Sequence, residues 1–181
     1  MLDYIILGMV LNEDLTGYDI KKIIENGVGI FYKASYGSLY PALKKLTEKG
    51  LLVMYESTCG GRQKKFYKLT DEGYRVFVDW LVSPMNVLDG INTHLAKVYF
   101  FDKLQPDIRD RQLLEHEMNN ISYLRKLQAI EKELSKNKKD CYYYKMSTLY
   151  YGICITQESI RWCRHIRSGK PLSELIQGEG K

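Results

Sequence analysis

The residues best equipped for chemistry lie between Ser35 and Gly73. They are Tyr36, Ser38, Tyr40 and Lys44, then Arg62, Lys64 and Lys65. Ammonium and guanidinium groups only donate hydrogen bonds, and hydroxyls donate as well as accept. That set suits phosphate oxygens. From Lys33 to Arg75 the chain carries nine basic and four acidic residues, so the whole net charge of +5 sits in this window. A local basic excess favours a polyanionic partner. Plainer uses exist for the same residues. Lysine on an edge strand deters aggregation, and serine or tyrosine near a helix start serves capping or packing.

Two elements must position these side chains. Leu39, Leu43 and Leu46 fall at helical spacing, with Gly50 where a C-terminal cap belongs. The spacing predicts a helix over Ser35–Gly50, capped by Ser35 or Gly37 and with Pro41 near its first turn. Its outer face carries Gly37, Pro41, Lys44 and Glu48, with Tyr40 on one flank and Ser38 and Lys45 on the other. Leu51–Glu56 and Arg62–Leu69 read as two strands joined at Gly60-Gly61, a tight hairpin. A helix followed by a basic hairpin outlines a winged helix-turn-helix. The helix enters the major groove and the hairpin tip reaches the backbone or minor groove. Gly37 permits a close backbone approach to a duplex.

The run Gly37-Ser38-Leu39-Tyr40-Pro41-Ala42-Leu43, followed by Leu46, Glu48, Gly50-Leu51 and Gly61 through Gly73, resembles the PadR family of bacterial transcriptional regulators. Ile6-Leu7-Gly8 and Thr16-Gly17-Tyr18-Asp19-Ile20 fit the same pattern. The match is close over the first half and one of style in the second. The resemblance implies a DNA-binding regulator, expected to be a repressor, with a helical C-terminal dimerisation region. Thr16 and Tyr18 join Tyr36, Gly37, Ser38, Tyr40, Lys44, Arg62, Lys64 and Lys65 as expected DNA-contact residues, and double-stranded DNA is the expected partner.

Around this stretch the chain reads as mainly helical. Leu2–Leu11 is an apolar helix. Thr16, with Asp19 three residues on, opens a helix through a capping box, and Gly27 stops it. Phe31–Ala34 is a link. Thr70 caps a helix that faces Val76, Phe77, Trp80 and Leu81 inward. Ser83-Pro84 marks the expected boundary between a DNA-binding domain, 1–84, and a helical dimerisation domain, 85–181. In the second domain Ile91–Leu104 reads as a helix with Leu95, Val98 and Phe101 as its stripe, ended by Pro106. In the pattern over Asp107–Asn137, Leu114, Met118, Ile121, Leu124, Leu127, Ile130 and Leu134 recur at steps of three and four. After a turn at Lys136–Asp140, a tyrosine-rich helix runs over Cys141–Arg167. The segment from Gln177 is expected to be disordered.

Two long helices joined by a short turn cannot bury such a stripe alone. A second copy of the chain is the simplest cover, and Leu114, Met118, Ile121, Leu124, Tyr143 and Tyr150 are its expected contacts. Tyr144, Tyr151 and Trp162, with Tyr142 beside them, have two readings. They line a pocket for a small aromatic effector, or they belong to the dimer interface, which is the plainer use.

The remaining functional classes find little support. Cys59, Cys141, Cys154 and Cys163 form no CxxC pair, and His94, His116 and His165 are far apart. Cys163 and His165 alone make no metal site. Cys59 at the wing turn is either an oxidant sensor or an inert exposed thiol. No Ser/His/Asp, Cys/His or paired-carboxylate arrangement emerges, so neither catalysis nor a cofactor or metal is expected. No apolar run is long enough to span a membrane and no charged-then-apolar signal-peptide pattern is read, so no membrane partner is expected and a reducing cytoplasm is the default. A winged protein-interaction module, or a sensor that reads no operator, remains the alternative to a DNA reader.

Overall fold

The computed structural model describes residues 1–28, 36–59, 61–135 and 143–176, apart from the side chains of Tyr36, Cys59, Leu88, Ile91 and Lys145. The expected link at Phe31–Ala34, the cap at Ser35, Gly60, the turn at Lys136–Asp140, Cys141, Tyr142 and the segment from Gln177 lie outside the described residues. The chain divides into two compact units. One comprises Met1–Ser83 and Gly90–Leu104, the other Pro84–Asp89 and Gln105–Lys181. Residues 90–104, which the break at Ser83-Pro84 would assign to the second domain, thus pack with the first unit.

The first unit follows the order α1 (Leu2–Met9), β1 (Leu15–Thr16), α2 (Gly17–Asn26), α3 (Tyr36–Glu48), β2 (Leu52–Cys59), β3 (Arg62–Leu69), α4 (Asp71–Val82) and α5 (Ile91–Tyr99). This is a winged helix-turn-helix. The capping box at Thr16 is present: its hydroxyl accepts from the Asp19 N–H, and the Asp19 carboxylate accepts from the Thr16 N–H. Leu39, Leu43 and Leu46 are buried together with Ile5, Ile6, Leu7, Ile20, Ile24, Phe77 and Leu81, so α1, α2, α3 and α4 share one core. Pro41 is the sixth residue of α3 and not near its first turn. It removes the N–H that would have bonded the Gly37 carbonyl, and both residues are exposed, where water can take that bond.

The end of α3 is a Schellman cap. The Leu51 N–H donates to the Leu46 carbonyl and the Gly50 N–H to the Thr47 carbonyl, each at 3.0 Å. Gly50 has φ 69°, the left-handed conformation that such a cap requires. The wing then pairs from Leu52↔Leu69 to Cys59↔Arg62, leaving two residues for the connection. Strand β1 adds to the expected two, pairing Leu15↔Tyr67 and Thr16↔Phe66 and giving the sheet the order β1-β3-β2. The Thr70 hydroxyl accepts from the Gly73 N–H at 3.0 Å, capping α4, and donates to the Gly50 carbonyl at 2.8 Å.

Helix α5 is shorter than its pattern suggested, ending at Tyr99 before a 3-10 turn at Phe101–Lys103. Its inward face is also different. His94, Ala96, Lys97 and Phe100 are buried, whereas Leu95 and Val98 are half-buried; Phe101 is inside as expected. Phe100 meets Phe77 edge-on, with centroids 5.3 Å apart. The Lys97 ammonium donates to the Ser83 carbonyl and hydroxyl at 2.6 and 2.7 Å and lies 5.6 Å from the Trp80 ring centre. These contacts let a cation occupy an inward position.

The second unit is a hairpin of α6 (Pro106–Leu134) and α7 (Tyr143–Ser168). Pro106 opens α6 at its first position, where its missing N–H costs nothing. Pairing of Asp110 with Arg167 and of Glu117 with Arg164 fixes the two helices antiparallel. Their shared face is unusually polar. Gln112, His116, Glu117, Asn120 and Thr156 are buried there beside Leu113, Leu127, Ile153, Ile160 and Cys163. Meanwhile Leu114, Met118, Ile130 and Leu134 are exposed, and Ile121 and Leu124 half-buried.

A Cβ added at Gly73 would overlap the Leu51 carbonyl oxygen. Gly73→Ala is therefore expected to lower stability by about 2 kcal/mol, since a packed backbone has no room to relax. A denaturant titration compared with the parent chain reads this directly, and an unchanged midpoint would refute the packing described at Leu51.

Candidate nucleic-acid interface

Six of the ten expected DNA-contact residues converge. Thr16, Tyr18, Tyr40, Lys44, Lys64 and Lys65 line one open groove of about 590 Å³ between the first turn of α2, the outer face of α3 and the wing. Gly17, Asp19 and Tyr67 complete its lining. Each element supplies its side chains for a local reason. The capping box holds Thr16 at the floor, where its hydroxyl is engaged by the Asp19 carboxylate at 2.6 Å. Tyr18 then points outward from the first turn of α2 and is 62% exposed. The absent side chain of Gly17 leaves room for the Tyr40 ring, whose nearest carbon lies 2.9 Å from where a Cβ would stand. Tyr67 is buried in the sheet, and burial pushes its phenol above the ordinary tyrosine range, with Tyr40 adding to the effect.

The other four stand elsewhere. Gly37 and Ser38 are exposed in the first turn of α3, and Arg62 is exposed at the wing tip. Tyr36 begins α3, and its side chain lies outside the described residues.

The cations of the groove are loosely held. Lys44 lies 3.8 Å from Glu48, and Lys65 lies 3.9 Å from Glu56, its cross-strand neighbour. Both pairs are exposed, where such contacts contribute little and yield to a stronger anion. Lys45, by contrast, is tied to Asp3 at 2.7 Å, which raises its pKa. It belongs to the α1–α3 contact more than to the groove. The wing is braced on its other side, where Tyr55 stacks on Phe66 and donates its hydroxyl to the Asp14 carboxylate at 2.8 Å.

Residues 6–79 match the family model of the transcriptional regulator PadR-like family. The chain belongs to the PadR-like family. Residues 92–168 of this PadR-like protein match a second model, virulence activator alpha C-term. No match was found among curated proteins. Among solved structures, Bacillus subtilis PadR in complex with operator DNA is 25% identical, with 92% of this chain and 96% of that one covered, at a TM-score of 0.47. Bacillus subtilis PadR in complex with p-coumaric acid is 24% identical, over 92% and 96%, at 0.43. The smu.1704 protein of Streptococcus mutans UA159 is 37% identical over 43% of this chain and 70% of its own, at 0.39.

The helical arm of this PadR-like chain distributes its expected contacts unevenly. Leu114, Met118, Tyr143 and Tyr150 are exposed, and Ile121 and Leu124 are half-buried. The three residues expected to hold an effector are not gathered into a pocket. Tyr144 and Tyr151 are 81% and 69% exposed, and Trp162 lies half-buried three helical turns beyond Tyr151. Among the described residues, no group of histidine, cysteine, aspartate and glutamate is placed to hold a metal, and no helix is long and apolar enough to cross a membrane. Of the cysteines, Cys154 is exposed on α7 and Cys163 is buried; the Cys59 side chain and Cys141 are outside the described residues.

Burial pushes the Cys163 thiol up to about 12, with the Glu117 carboxylate adding to it and Arg167 opposing. The thiolate is the reactive form, so Cys163 is inert at neutral pH. A thiol-specific reagent applied to the native protein is expected to modify Cys154 and spare Cys163, which reacts only on unfolding. Peptide mapping by mass spectrometry gives the readout, and native-state labelling of Cys163 at the rate of Cys154 would contradict this assignment.

Proposed function

We propose that this PadR-like protein is a dimeric, sequence-specific DNA-binding repressor acting on a pseudo-palindromic operator. The observation that carries the proposal is the convergence of Lys44, Lys64 and Lys65 with Tyr18 and Tyr40 on one open groove beside the exposed start of α3. In this reading α3 enters the major groove. Ser38 and Tyr36 face base edges or the adjoining backbone, and Gly37 allows close approach. The wing lysines and Arg62 neutralise phosphates. Two copies, joined through the exposed stripe of α6 and the tyrosines of α7, present two reading helices about one turn of DNA apart, or roughly 34 Å. Repression follows where the operator overlaps a promoter. The cytoplasm, where the DNA is, is the expected location. An aromatic effector at Tyr144, Tyr151 and Trp162 needs a second surface, because one chain leaves both tyrosines open to solvent.

Two double variants separate affinity from reading. Lys64→Ala with Lys65→Ala is expected to weaken binding to all sequences alike. It also lowers the slope of log affinity against log salt by roughly one unit for each phosphate that is no longer neutralised. Titrations at several salt concentrations measure this, and an unaltered slope would remove the wing from the interface.

Tyr36→Ala with Ser38→Ala is expected to reduce operator preference by about 1–3 kcal/mol for each base interaction removed, while non-specific binding persists. The comparison uses operator and random duplexes at one salt concentration. Undiminished preference with a normal melt takes these two residues off the reading surface. If the parent protein prefers no site in a genomic library, the regulator reading itself falls and a protein-interaction role for the winged unit replaces it.

A further inference from the structure

A second groove, of about 600 Å³, runs between α6 and α7. Its floor is Ile121, Leu124 and Ile160, and its rim carries Arg125, Arg161 and Arg164. Arg161 pairs with Glu158 and Arg164 with Glu117, so the groove asks for apolar side chains, with a carboxylate to meet the exposed Arg125. Beside it lies the segment that follows α7. There the chain turns back along the helix, held by a hydrogen bond between His165 Nε2 and the Pro171 carbonyl at 3.0 Å, and by one from Arg161 Nη1 to the Leu175 carbonyl at 3.2 Å. The two anchors fix the segment's course but leave its apolar groups uncovered. Leu172 is 66% exposed and Ile176 is 89% exposed, with the exposed carboxylate of Glu174 between them. Residues 171–176 therefore offer what the groove lacks, yet their attachment within one chain does not bury them in it.

Resting on the dimer reading above, we infer that residues 171–176 of each chain form a clasp that seats in the α6–α7 groove of a second copy. The pairing is self-complementary: one two-fold operation covers both clasps and fills both grooves. Leu172 and Ile176 meet the floor, and Glu174 meets Arg125 at the rim. Arg161 belongs to the groove rim and also anchors the clasp of its own chain, so the two surfaces are continuous. Placing a carboxylate against Arg125 adds orientation to the apolar contact, because charge complementarity fixes register.

The test uses the full chain in sedimentation analysis. Leu172→Asp with Ile176→Asp is expected to raise the dimer dissociation constant by about tenfold or more, since exposed apolar anchors at an interface carry much of its energy. Thermal melting of the monomer should hardly change, because neither side chain is packed within one chain. Arg125→Glu, at the opposite surface, is expected to act in the same direction. Replacing Ile176 by the photocrosslinker p-benzoylphenylalanine should give an adduct of dimer mass, mapping to the peptide around Leu124 or Ile160. A dimer untouched by either variant overturns the clasp and leaves the dimer reading standing. Crosslinks found only at monomer mass overturn it in favour of a segment that seats in its own chain. A parent protein that is monomeric at every concentration removes the dimer reading, and the clasp with it.

Discussion

Three elements of the winged unit meet at two consecutive peptide groups, those of Gly50 and Leu51. The Leu51 N–H closes α3 by donating to the Leu46 carbonyl. The Leu51 carbonyl accepts from the Thr70 N–H at 3.2 Å and from the Thr70 hydroxyl at 3.1 Å. The same hydroxyl reaches the Gly50 carbonyl and also caps α4. In the first turn of α4, Gly73 rests against the Leu51 carbonyl with no space for a side chain. The end of α3, the base of the wing and the start of α4 thereby share donors and acceptors. Helix and wing are thus tied through backbone groups and one short side chain, the Thr70 hydroxyl, and not through long side chains.

That bracing matters because the groove is assembled from groups that are individually weakly held. Lys44 and Lys65 have only distant carboxylates, and Tyr18 projects into solvent. Pliant cations reach phosphates over a range of positions, but their separation is useful only if the strands and helix that bear them do not move. A firm frame with pliant cations suits phosphate contact, whereas base recognition needs the frame itself close to the duplex. The first turn of α3, where Gly37 and Ser38 are exposed, leaves backbone open to solvent.

Local rules sufficed for much of this frame. The Thr16–Asp19 spacing names its capping box, Gly50 its Schellman cap, and the Leu39, Leu43, Leu46 stripe its buried face, because each depends on residues within one or two turns. Where distant partners decide, the sequence is silent. Leu15-Thr16 is too short to read as a strand, and it becomes one by pairing with Tyr67 and Phe66, far along the chain. That pairing buries Tyr67 and brings it to the groove, which spacing alone does not reveal. Lys97 lies off the Leu95, Val98, Phe101 stripe, yet the Trp80 face and the Ser83 oxygens accommodate its ammonium inside. The shift of the inward face of α5 away from Leu95 and Val98 follows from that contact and from Phe100, which packs on Phe77.

The helical arm shows why a hydrophobic stripe need not mark a chain's own core. Within the α6–α7 hairpin the buried face holds a carboxylate, a histidine and an asparagine, each with a partner. Glu117 accepts from Arg164 and Arg167 at 2.6 and 3.0 Å. His116 Nδ1 lies 3.1 Å from the Met85 carbonyl, and its Nε2 lies 3.2 Å from the Asn120 amide nitrogen. Donation from Nδ1 leaves Nε2 as the acceptor, so the neutral ring satisfies both neighbours in one tautomer. A polar interior of this kind fixes register between the helices but contributes little net burial energy. The apolar surface that would stabilise the hairpin, led by Leu114, Met118, Ile130 and Leu134, faces outward instead. Apolar area exposed on that scale is the kind of surface that interaction sites carry. The polar seam beneath it, with Glu117 paired to Arg164 and Arg167, sets how the two helices face one another.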